Sequence, residues 1–530
     1  MIYIVGSGPS GISCAFGLIA KGHEVTMLDA GVELEPSRQI LVDQLKKQKF
    51  ENWDPNLIGQ LKMNTDSDVS GIPMKYSYGS DFPFQGVNEF SPVKSEDVDC
   101  LPTFAKAGFS NIWGANVLPY RAEDMLDWPI SNEDLTEHYQ SVFEFMDLAA
   151  CEDDLNALLP LHSKRFQPLR PCRQAKNFLN DLNLNKEKLN QRGIIFGQSR
   201  LALRVQSNEK GTGCVYCGLC MYGCPYELIY NTSSSLQQLM NQKNFHYLKN
   251  VVVEKLVESG SQVLILAESR IDESKQEFTA SRVYLACGPL STTRILLESM
   301  EQYDVPLTLK DSQYFLLPCI RYQGVENLEN ERLHTLSQLY FELLDSDLGE
   351  HLIHLQFYMY NDLYMKAIKK IIGSAYFVFR GLTNSIVSRL MVIQGYLHSQ
   401  YSPTITVSLE AGKNGKRKLV LKSNPNPRTR ELIQKIIKKL FENRDSLKMI
   451  LITPLLQIAK AGRGYHTGGS FPMSSNPSRF QSDRWGRPYG FQLVHAVDST
   501  IFPSIPATTI TLTAMANAHR IASNFDQYGR

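Results

Sequence analysis

The sequence predicts an α/β protein in which a Rossmann-type, nucleotide-binding domain carries a second, sheet-containing α+β domain. A short apolar run at residues 2–5 leads directly into a glycine-rich turn and then into an apolar helical pattern, which is the order of a strand–turn–helix unit. The chain of 530 residues is too long for one simple hydrophobic core. Further strand-like runs recur near residues 250–287 and 404–423, far along the chain from the first unit. Together these features favour two domains over one.

Composition places the chain among ordinary folded proteins and argues against several classes of function. Hydrophobic residues make up 43% and charged residues 21%, and the formal net charge of +1 does not indicate nucleic acid as a partner. The first residues lack the basic region and cleavage site of a secretory signal. The longest uncharged apolar stretches, such as residues 371–379, reach about half of the roughly 20 residues that a spanning helix needs. We therefore expect a cytoplasmic protein, either soluble or peripherally attached to a membrane.

The N-terminal unit predicts a dinucleotide site. Gly6, Gly8 and Gly11 have the G-x-G-x-x-G spacing, in which the glycines allow a tight turn, a close approach of the pyrophosphate and close packing of helix on strand. Ser10 lies in the first helical turn, where free backbone N–H groups can bind phosphate. The next predicted strand ends at Asp29, whose carboxylate can bind the ribose hydroxyls. This unit alone does not separate NAD from FAD.

Three further parts of the chain resemble the glucose–methanol–choline (GMC) family of FAD-dependent oxidoreductases. "GFSNIWGANVLPY" (108–120) and "DWPISNEDLTEHY" (127–139) are similar to the family's flavin loop and the helix start that follows it. "VYLACGPLSTTRILLES" (283–299) resembles its second signature. "GYHTGGSFPM" (464–473) and "VHAVDSTIFPSIPATTITLTAMANAHRIA" (494–522) resemble its C-terminal block. The segments occur in the family's order.

The resemblance implies FAD as the cofactor and a discontinuous FAD-binding domain. That domain would comprise residues 1–120, 200–300 and 460–530, with a cysteine-rich loop at 211–226, and the substrate domain would comprise 121–199 and 301–459. In addition to the N-terminal residues, the resemblance implies cofactor contacts from Asn111, Trp113, Gly114, Ala115, Val252, Ala286, Gly288, Asp498, Thr508, Thr509 and Ile510.

His466 falls at the position of the family's catalytic histidine. Alcohol oxidation requires a neutral base beside the hydroxyl, and histidine suits this task near neutral pH. The family's second histidine or asparagine is replaced here by Thr509, next to Thr508, and a hydroxyl is a poor base. We therefore expect His466 to remove the proton alone, while Thr509 or a residue of the substrate domain orients the oxygen. His495 is interpreted as structural.

The predicted substrate domain shows three local signals. Residues 404–409 and 418–423 read as strands joined across an Asn-Gly hairpin signal. Residues 429–444 read as an amphipathic helix after the "NPNP" break at 424–427. Residues 364–397 carry five basic and no acidic residues among apolar ones. This segment suits an anionic membrane surface, the mouth of a site for an apolar substrate, or a pair of cap helices with solvated basic side chains.

Four cysteines, Cys214, Cys217, Cys220 and Cys224, have the spacing C-x2-C-x2-C-x3-C-P of ferredoxin clusters. Zinc sites usually combine two separated cysteine pairs, so the spacing favours an iron–sulfur cluster, either 4Fe-4S or 3Fe-4S. Thiols that only hold a loop are the alternative. Because the fourth cysteine of such a run often ligates a second cluster, a remote cysteine could complete the site; the candidates are Cys100, Cys151, Cys172, Cys287 and Cys319.

The sequence thus predicts an FAD-dependent alcohol dehydrogenase. The first expectation for the substrate is a sugar or polyol and the second a lipid or sterol alcohol. An iron–sulfur cluster would pass electrons to a carrier protein or quinone. Two alternatives remain: an O2-using oxidase of long-chain or sterol alcohols with structural cysteines, and a flavin/iron–sulfur electron-transfer protein that oxidises no alcohol.

Overall fold

The computed structural model describes residues 1–63, 76–207, 211–365, 380–411 and 417–528. Its strands and helices confirm the predicted α/β class. The strands are β1 (Ile2–Val5), β2 (Val25–Asp29), β3 (Val93–Glu96), β4 (Ile194–Gln198), β5 (Phe245–Lys249), β6 (Val251–Ser259), β7 (Gln262–Ser269), β8 (Lys275–Ala280), β9 (Arg282–Leu285), β10 (Leu307–Asp311), β11 (Tyr314–Arg321), β12 (Leu339–Leu343), β13 (Ile353–Tyr358), β14 (Leu390–Tyr396), β15 (Thr404–Ala411), β16 (Arg417–Asn424), β17 (Met449–Leu451), β18 (Gln457–Ile458), β19 (Thr467–Gly468) and β20 (Val494–Ala496).

Helices cover the sheets and connect them along the chain. They are α1 (Pro9–Ala20), α2 (Pro36–Lys46), α3 (Pro55–Leu61), α4 (Val87–Phe90), α5 (Glu133–Phe145), α6 (Arg173–Leu184), α7 (Lys186–Gln191), α8 (Thr232–Met240), α9 (Pro289–Ser299), α10 (Arg380–Val387), α11 (Pro427–Glu442), α12 (Arg444–Leu447), α13 (Thr511–Ser523) and α14 (Phe525–Tyr528).

A five-stranded parallel sheet forms the nucleotide-binding half, with the order β20-β9-β1-β2-β5. Every residue of β1, β2 and β20 is buried, which explains why these strands read as apolar runs and not as alternating patterns. Helix α1 packs against α13, and the Ser13 hydroxyl donates to the Met515 carbonyl at 2.7 Å. The two ends of the chain are therefore joined beside this sheet.

A seven-stranded sheet follows the order β17-β11-β14-β13-β12-β4, with β18 also paired to β11. Its pairs are antiparallel, and side chains alternate between its two faces. One face presents Phe315, Phe341 and Phe357 to a core that also contains residues of α6 and α11. On the opposite face, the side chains of β12 and β13 are polar or aromatic and buried, whereas Leu316, Pro318 and Ile320 of β11 are apolar and partly exposed.

Two smaller sheets complete the architecture. Strands β6, β7 and β8 form an antiparallel unit, and a mixed sheet has the order β19-β10-β15-β16-β3. The mixed sheet joins β3 and β19, from the ranges predicted for the FAD domain, to β16 and β10, from the ranges predicted for the substrate domain. The domain boundaries stay a prediction.

The local predictions for residues 404–444 agree with the structure except at the helix start. Strands β15 and β16 pair antiparallel as expected, while the turn between them lies outside the described residues. Helix α11 begins at Pro427, two residues before the predicted start. The side chain of Asn426 accepts from the Arg428 N–H at 3.0 Å, so "NPNP" supplies the cap and a first-turn proline instead of a break.

In the described part of the chain, no helix combines the length and apolar character that crossing a membrane requires. Part of the basic, apolar segment 364–397 lies beyond this description, since residues 366–379 fall outside it. Helix α10 and strand β14 form the described remainder.

Candidate active site

A cleft of about 1320 Å³ opens between the carboxyl ends of the parallel strands and the C-terminal block. Both ends of the chain contribute to its walls, as does the segment around residues 100–109. Nine of the residues predicted to bind the cofactor line it: Gly6, Gly8, Ser10, Asp29, Val252, Ala286, Gly288, Asp498 and Ile510.

The glycine turn leaves an open cradle at the start of α1. Gly6 has φ of +101°, and a Cβ on Gly11 would lie 2.0 Å from the Gly6 carbonyl oxygen, so both positions require glycine. A Cβ on Gly8 would meet no described atom within 4 Å. Gly8 thus faces space that a phosphate can occupy beside the free N–H groups of the helix N-terminus. The cradle fits the pyrophosphate of a dinucleotide.

Two buried carboxylates border the cleft and hold its frame. Asp29 accepts hydrogen bonds from the hydroxyls of Ser7 at 2.5 Å and Tyr247 at 2.9 Å, and burial raises its pKa to about 6. Asp498 accepts from the Gly288 N–H at 2.9 Å and the Thr292 hydroxyl at 2.6 Å. Burial likewise raises the pKa of Asp498. Asp498 therefore connects the C-terminal block to the first turn of α9.

The predicted flavin loop is fixed to the segment that leads away from the cysteines. The Trp113 indole N–H donates to the Tyr230 carbonyl at 2.9 Å, and the Asn231 side chain donates to Asn111 at 2.8 Å. The cleft wall described above does not include Asn111, Trp113, Gly114 or Ala115. These four residues lie behind the wall that Gly108 and Phe109 form.

His466 lies between two residues that line the cleft, Tyr465 and Thr467. The corner between β10 and β11 holds this loop at two points. The Asp311 carboxylate accepts from the Gly462 N–H at 2.8 Å, and the Ser312 N–H donates to the His466 carbonyl at 3.1 Å. The loop that carries the imidazole is therefore anchored to the corner between β10 of the mixed sheet and β11 of the seven-stranded sheet.

The His466 imidazole is in an environment that keeps it neutral. Burial, with a smaller effect from His354, lowers its pKa to about 4. Its ring stacks on Tyr396 with a centroid separation of 5.0 Å. The Nδ1 atom is buried and has no hydrogen-bond partner among the described residues. A pKa of about 4 makes the neutral imidazole a weak base. It can therefore accept a proton only if the site supplies a strong driving force for the proton transfer.

The two threonines before α13 differ in their hydrogen bonds. The Thr509 hydroxyl accepts from the Leu118 N–H at 2.9 Å, so it helps to hold the end of the predicted flavin loop. The Thr508 hydroxyl is buried and unpaired within the described chain. Both side chains lie behind the cleft wall, next to Ile510, which forms part of it. His495 is fully buried and contacts Arg282 at 2.9 Å, as expected of a structural histidine.

Sequence reasoning missed the polar face of the seven-stranded sheet. Its members contact one another or the flavin loop; they are Tyr340, Glu342, His354, Gln356, Tyr358 and Tyr396. The available signal was the alternation in "LYFEL" and "IHLQFY", in which every second residue is polar or aromatic. Alternation identifies a half-polar strand, but it does not show which face meets a cofactor-binding domain.

All four cysteines of the ferredoxin-like run line one small, apolar cavity. Their sulfur atoms do not all lie within 4.8 Å of one another in the described structure, as the ligands of one ion would. A cluster of several atoms holds its ligands farther apart. Burial raises the pKa of Cys214 to about 12 and that of Cys224 to about 11, so these thiols stay protonated unless a metal replaces the protons. The described lining includes none of the remote cysteines.

Comparison with known proteins identifies the fold. Pyridoxine 4-oxidase from Mesorbium loti matches with a TM-score of 0.58 and 12% sequence identity, over 99% of this chain and 99% of that chain. Formate oxidase matches with a TM-score of 0.59 and 12% identity, over 100% of this chain and 98% of that chain. No family model matches the chain, and no curated protein matches it in sequence. At this identity the similarity establishes the fold, a Rossmann-type domain with a substrate domain, and the activity has to be argued from the site.

Proposed function

We propose that this chain is an FAD-dependent oxidoreductase of the GMC family that acts on CH–OH groups. The observation that carries the proposal is the position of His466. His466 itself is not in the described lining of the cleft, but its two sequence neighbours, Tyr465 and Thr467, line the same cleft as Gly6 and Gly8, which supports a role for this loop beside a bound dinucleotide. Pyridoxine 4-oxidase and formate oxidase, two of the solved structures that match this fold, are named as oxidases, which agrees with redox chemistry.

The residues of the cleft suit FAD. Gly8 and Ser10 would hold the pyrophosphate, Asp29 the ribose, and the C-terminal block with Asp498 and Ile510 the ring end. When bound, FAD supplies the hydride acceptor that the amino acids themselves lack. Val252 and Ala286 would contribute apolar contacts to the same ligand.

His466 would take the hydroxyl proton of the alcohol. Because its pKa is lowered to about 4, the imidazole is neutral and able to accept a proton throughout the physiological pH range. The acid limb of a pH profile of alcohol oxidation should therefore lie below the pKa of about 6.5 of a free imidazole. Thr509 would orient the substrate oxygen with its remaining hydroxyl proton.

The polar sheet face favours a sugar or polyol over a lipid or sterol alcohol. Tyr340, Glu342, His354 and Gln356 are buried on the face nearest the flavin loop. These groups bond one another and the flavin loop, so this boundary of the predicted substrate domain is polar and not apolar.

The four cysteines would bind an iron–sulfur cluster, 4Fe-4S or 3Fe-4S. Their shared apolar cavity supports this assignment, and such a cluster supplies one-electron transfer toward a carrier protein or quinone. An O2-using oxidase with structural cysteines is the second candidate, and the names of the two structures with this fold favour it.

The site of action would be the cytoplasm, with peripheral contact to a membrane through residues 364–397. In the described part of this segment, Leu382 and Ile386 of α10 are 61% and 39% exposed. Apolar side chains at that spacing share one helix face, which could rest on a lipid surface.

Anaerobic flavin bleaching tests the proposed function. The enzyme, purified without oxygen, is mixed with sugars, polyols and long-chain alcohols while the flavin absorbance is followed. Bleaching by at least one alcohol is expected, and bleaching by none would contradict the proposal. Analysis of the same preparation for iron and acid-labile sulfide separates the two candidates, because flavin without either element supports the oxidase.

A further inference from the structure

One face of helix α9 presents two buried polar side chains to the cleft. Ser291 and Arg294 are three residues apart in α9, so they lie on the same side of the helix. Both line the cleft that Gly8 and Asp29 also line. Each is only 7% exposed, yet in the described structure neither side chain has a full set of hydrogen-bond partners. The two residues are therefore candidates for binding a ligand.

The Ser291 hydroxyl is buried and has no hydrogen-bond partner among the described residues. The hydroxyls of the next two residues are engaged within the protein. The Thr292 hydroxyl donates to the Asp498 carboxylate, and the Thr293 hydroxyl donates to the Pro289 carbonyl. A buried hydroxyl without a partner costs free energy. Ser291 is thus available to a ligand that enters the cleft.

The Arg294 guanidinium is a buried cation without a carboxylate of its own. Its described hydrogen bond runs from Nη2 to the Val253 carbonyl oxygen at 3.2 Å, and no ion pair between described residues includes it. Glu254 and Glu298, whose charges reach it, form ion pairs with other cations at 3.0 and 3.3 Å. Burial lowers the pKa of Arg294 despite these charges. Since an unpaired buried charge is costly, the guanidinium is suited to pair with an anion in the cleft.

The beginning of α9 lies beside the phosphate cradle. A Cβ on Gly6 would lie 2.8 Å from the Ala286 carbonyl oxygen and 3.2 Å from the Cys287 Cα atom. Helix α9 starts two residues after Cys287, so Ser291 is in its first turn. The cradle is thus bordered by two helix starts, that of α1 and that of α9.

Arg294 lies on the side of the cleft where the ribose is expected. Val253, which it contacts, belongs to β6, and β6 begins two residues after the end of β5. Strand β5 is the neighbour of β2, which ends at Asp29, the residue proposed to hold the ribose. From the cradle, the guanidinium is therefore reached in the direction of the adenosine half of FAD.

We propose that Ser291 and Arg294 bind the phosphate on the adenosine side of FAD and thereby make the cleft selective for this dinucleotide over FMN. The inference rests on the proposed FAD-dependent function and adds the residues that select the cofactor. Phosphate oxygens accept hydrogen bonds from both groups, and their negative charge balances the buried guanidinium. FMN has no adenosine-side phosphate, so it would leave both side chains without a partner.

Fragments of the cofactor test which phosphate is bound. The full-length chain, freed of flavin, is titrated by calorimetry with FAD, FMN, ADP and adenosine. Arg294→Met should weaken the binding of FAD and ADP by about tenfold or more, because each loses a charge-assisted hydrogen bond to its adenosine-side phosphate. The binding of FMN and adenosine should change by less than about twofold, since neither carries that phosphate.

Further variants separate a ligand contact from a structural role. Arg294→Lys keeps the charge and should recover part of the lost FAD affinity. Ser291→Ala should weaken FAD and ADP binding about fivefold, the value of one hydrogen bond. In the flavin-free chain, Arg294→Met should not lower the unfolding temperature, because it removes an unpaired buried charge. Arg430→Met is the matched control, since Arg430 lies exposed on α11.

The outcomes distinguish this inference from the proposed function. Wild-type FAD affinity in Arg294→Met would overturn the inference, as would an equal loss for FAD and FMN or for ADP and adenosine. If Arg294→Met does not fold, Ser291→Ala decides by the same comparisons. If the flavin-free chain does not stay folded, FAD release from the diluted holoenzyme decides, and release from the variant at the wild-type rate contradicts the contact. A wild-type chain that binds no FAD would contradict the proposed function itself.

Discussion

The parallel sheet and the seven-stranded sheet position functional groups in opposite ways. The parallel sheet buries apolar side chains on both faces, and its candidate ligands lie in the loops beyond the strand ends, as at Gly8 and Asp498. The seven-stranded sheet uses one face for its core and presents polar side chains on the other, as at His354 and Tyr358. One sheet supports a site at its edge, and the other, through Tyr396, stacks against the imidazole of His466.

This difference determines how each region should respond to substitution. Loop residues of the parallel sheet can lose function while the core stays intact, because their side chains do not fill it. Polar residues of the second sheet are buried between layers, so their removal changes stability and chemistry together. The following variants separate these two behaviours.

The largest effect on activity is expected at His466, whose loop connects the region of the parallel sheet with the seven-stranded sheet. His466→Ala should lower kcat/KM for alcohol oxidation about 1000-fold by removing the base, with FAD content and unfolding temperature unchanged. His246→Ala is the control, because His246 lies on β5 and is about half exposed. Stopped-flow measurement of flavin bleaching reports the rate. Bleaching at the wild-type rate would mean that another group removes the proton.

Two glycines of the cradle should respond in opposite ways. Gly11→Ala places a Cβ 2.0 Å from the Gly6 carbonyl oxygen, and this backbone contact should destabilise the protein by about 3 kcal/mol. Gly8→Ala meets no described atom, so the apoprotein should keep its stability and lose at least tenfold in FAD affinity. Urea unfolding of the apoproteins and fluorescence titration with FAD check both. Equal FAD affinity in Gly8→Ala and wild type would contradict a phosphate site there.

The candidate site residues beside the parallel sheet could be predicted from the sequence because they lie close together along the chain. The turn from Gly6 to Gly11 and the strand ending at Asp29 can be read directly, and the structure places these residues around one cleft. Local patterns also predicted strands near residues 250–287, where β6 to β9 lie, and predicted β15 within two residues. The start of α11 was wrong because Pro427 is favourable in a first helical turn, although it ends a helix elsewhere.

The second region could not be predicted because its chemistry depends on strand pairing. Glu342 and His354 are neighbours only in the register of β12 with β13. His354 approaches Tyr396 only through β14. Periodicity shows that alternate residues share a face, but the pairing and the covering layer arise from the whole fold. Nor did the sequence show that Thr509 would bond the backbone of Leu118.

A matched pair of variants asks whether the polar face serves function or stability. His354→Leu leaves Glu342 buried without its partner and should cost about 3 kcal/mol in unfolding free energy. The double variant Glu342→Leu, His354→Leu removes both groups and should recover most of that stability, while kcat/KM for alcohol oxidation should stay about tenfold below wild type, because His354 packs on Tyr396 and Tyr396 stacks on His466. Urea unfolding and steady-state kinetics give the two quantities. A double variant with wild-type kinetics would show that the pair has no role in the reaction.

The smallest effect is expected on stability, at a cluster of Asp124, His351 and His398 that lies away from the cleft. His351 and His398 stack with centroids 3.6 Å apart, and the His351 Nδ1 lies 3.5 Å from Asp124 Oδ1. Gln400 holds both rings: its side chain contacts His351 Nε2 at 2.6 Å, and its N–H donates to His398 Nδ1 at 3.1 Å. Because His398 Nδ1 accepts this hydrogen bond, the single proton of the neutral His398 imidazole is on Nε2. In addition, the two rings are nearly parallel, so they cannot both direct a lone pair at one ion. The cluster is therefore better described as a protonated clasp than as a metal site.

The clasp gives a pH dependence with a definite sign. Hydrogen bonding to Asp124 raises the pKa of His351 in the folded protein. The stabilisation of the fold by protonated His351 is therefore complete below the pKa of about 6.5 that the imidazole has in the unfolded chain. It is lost as the pH rises through the higher pKa of the folded state. Asp124→Asn should therefore lower the unfolding free energy at pH 6 by less than about 1 kcal/mol, since His351 is partly exposed, and should have almost no effect at pH 9. Thermal unfolding at both values measures the difference. A loss that is as large at pH 9 as at pH 6 would show that Asp124 acts through its uncharged hydrogen bonds and not through the imidazolium.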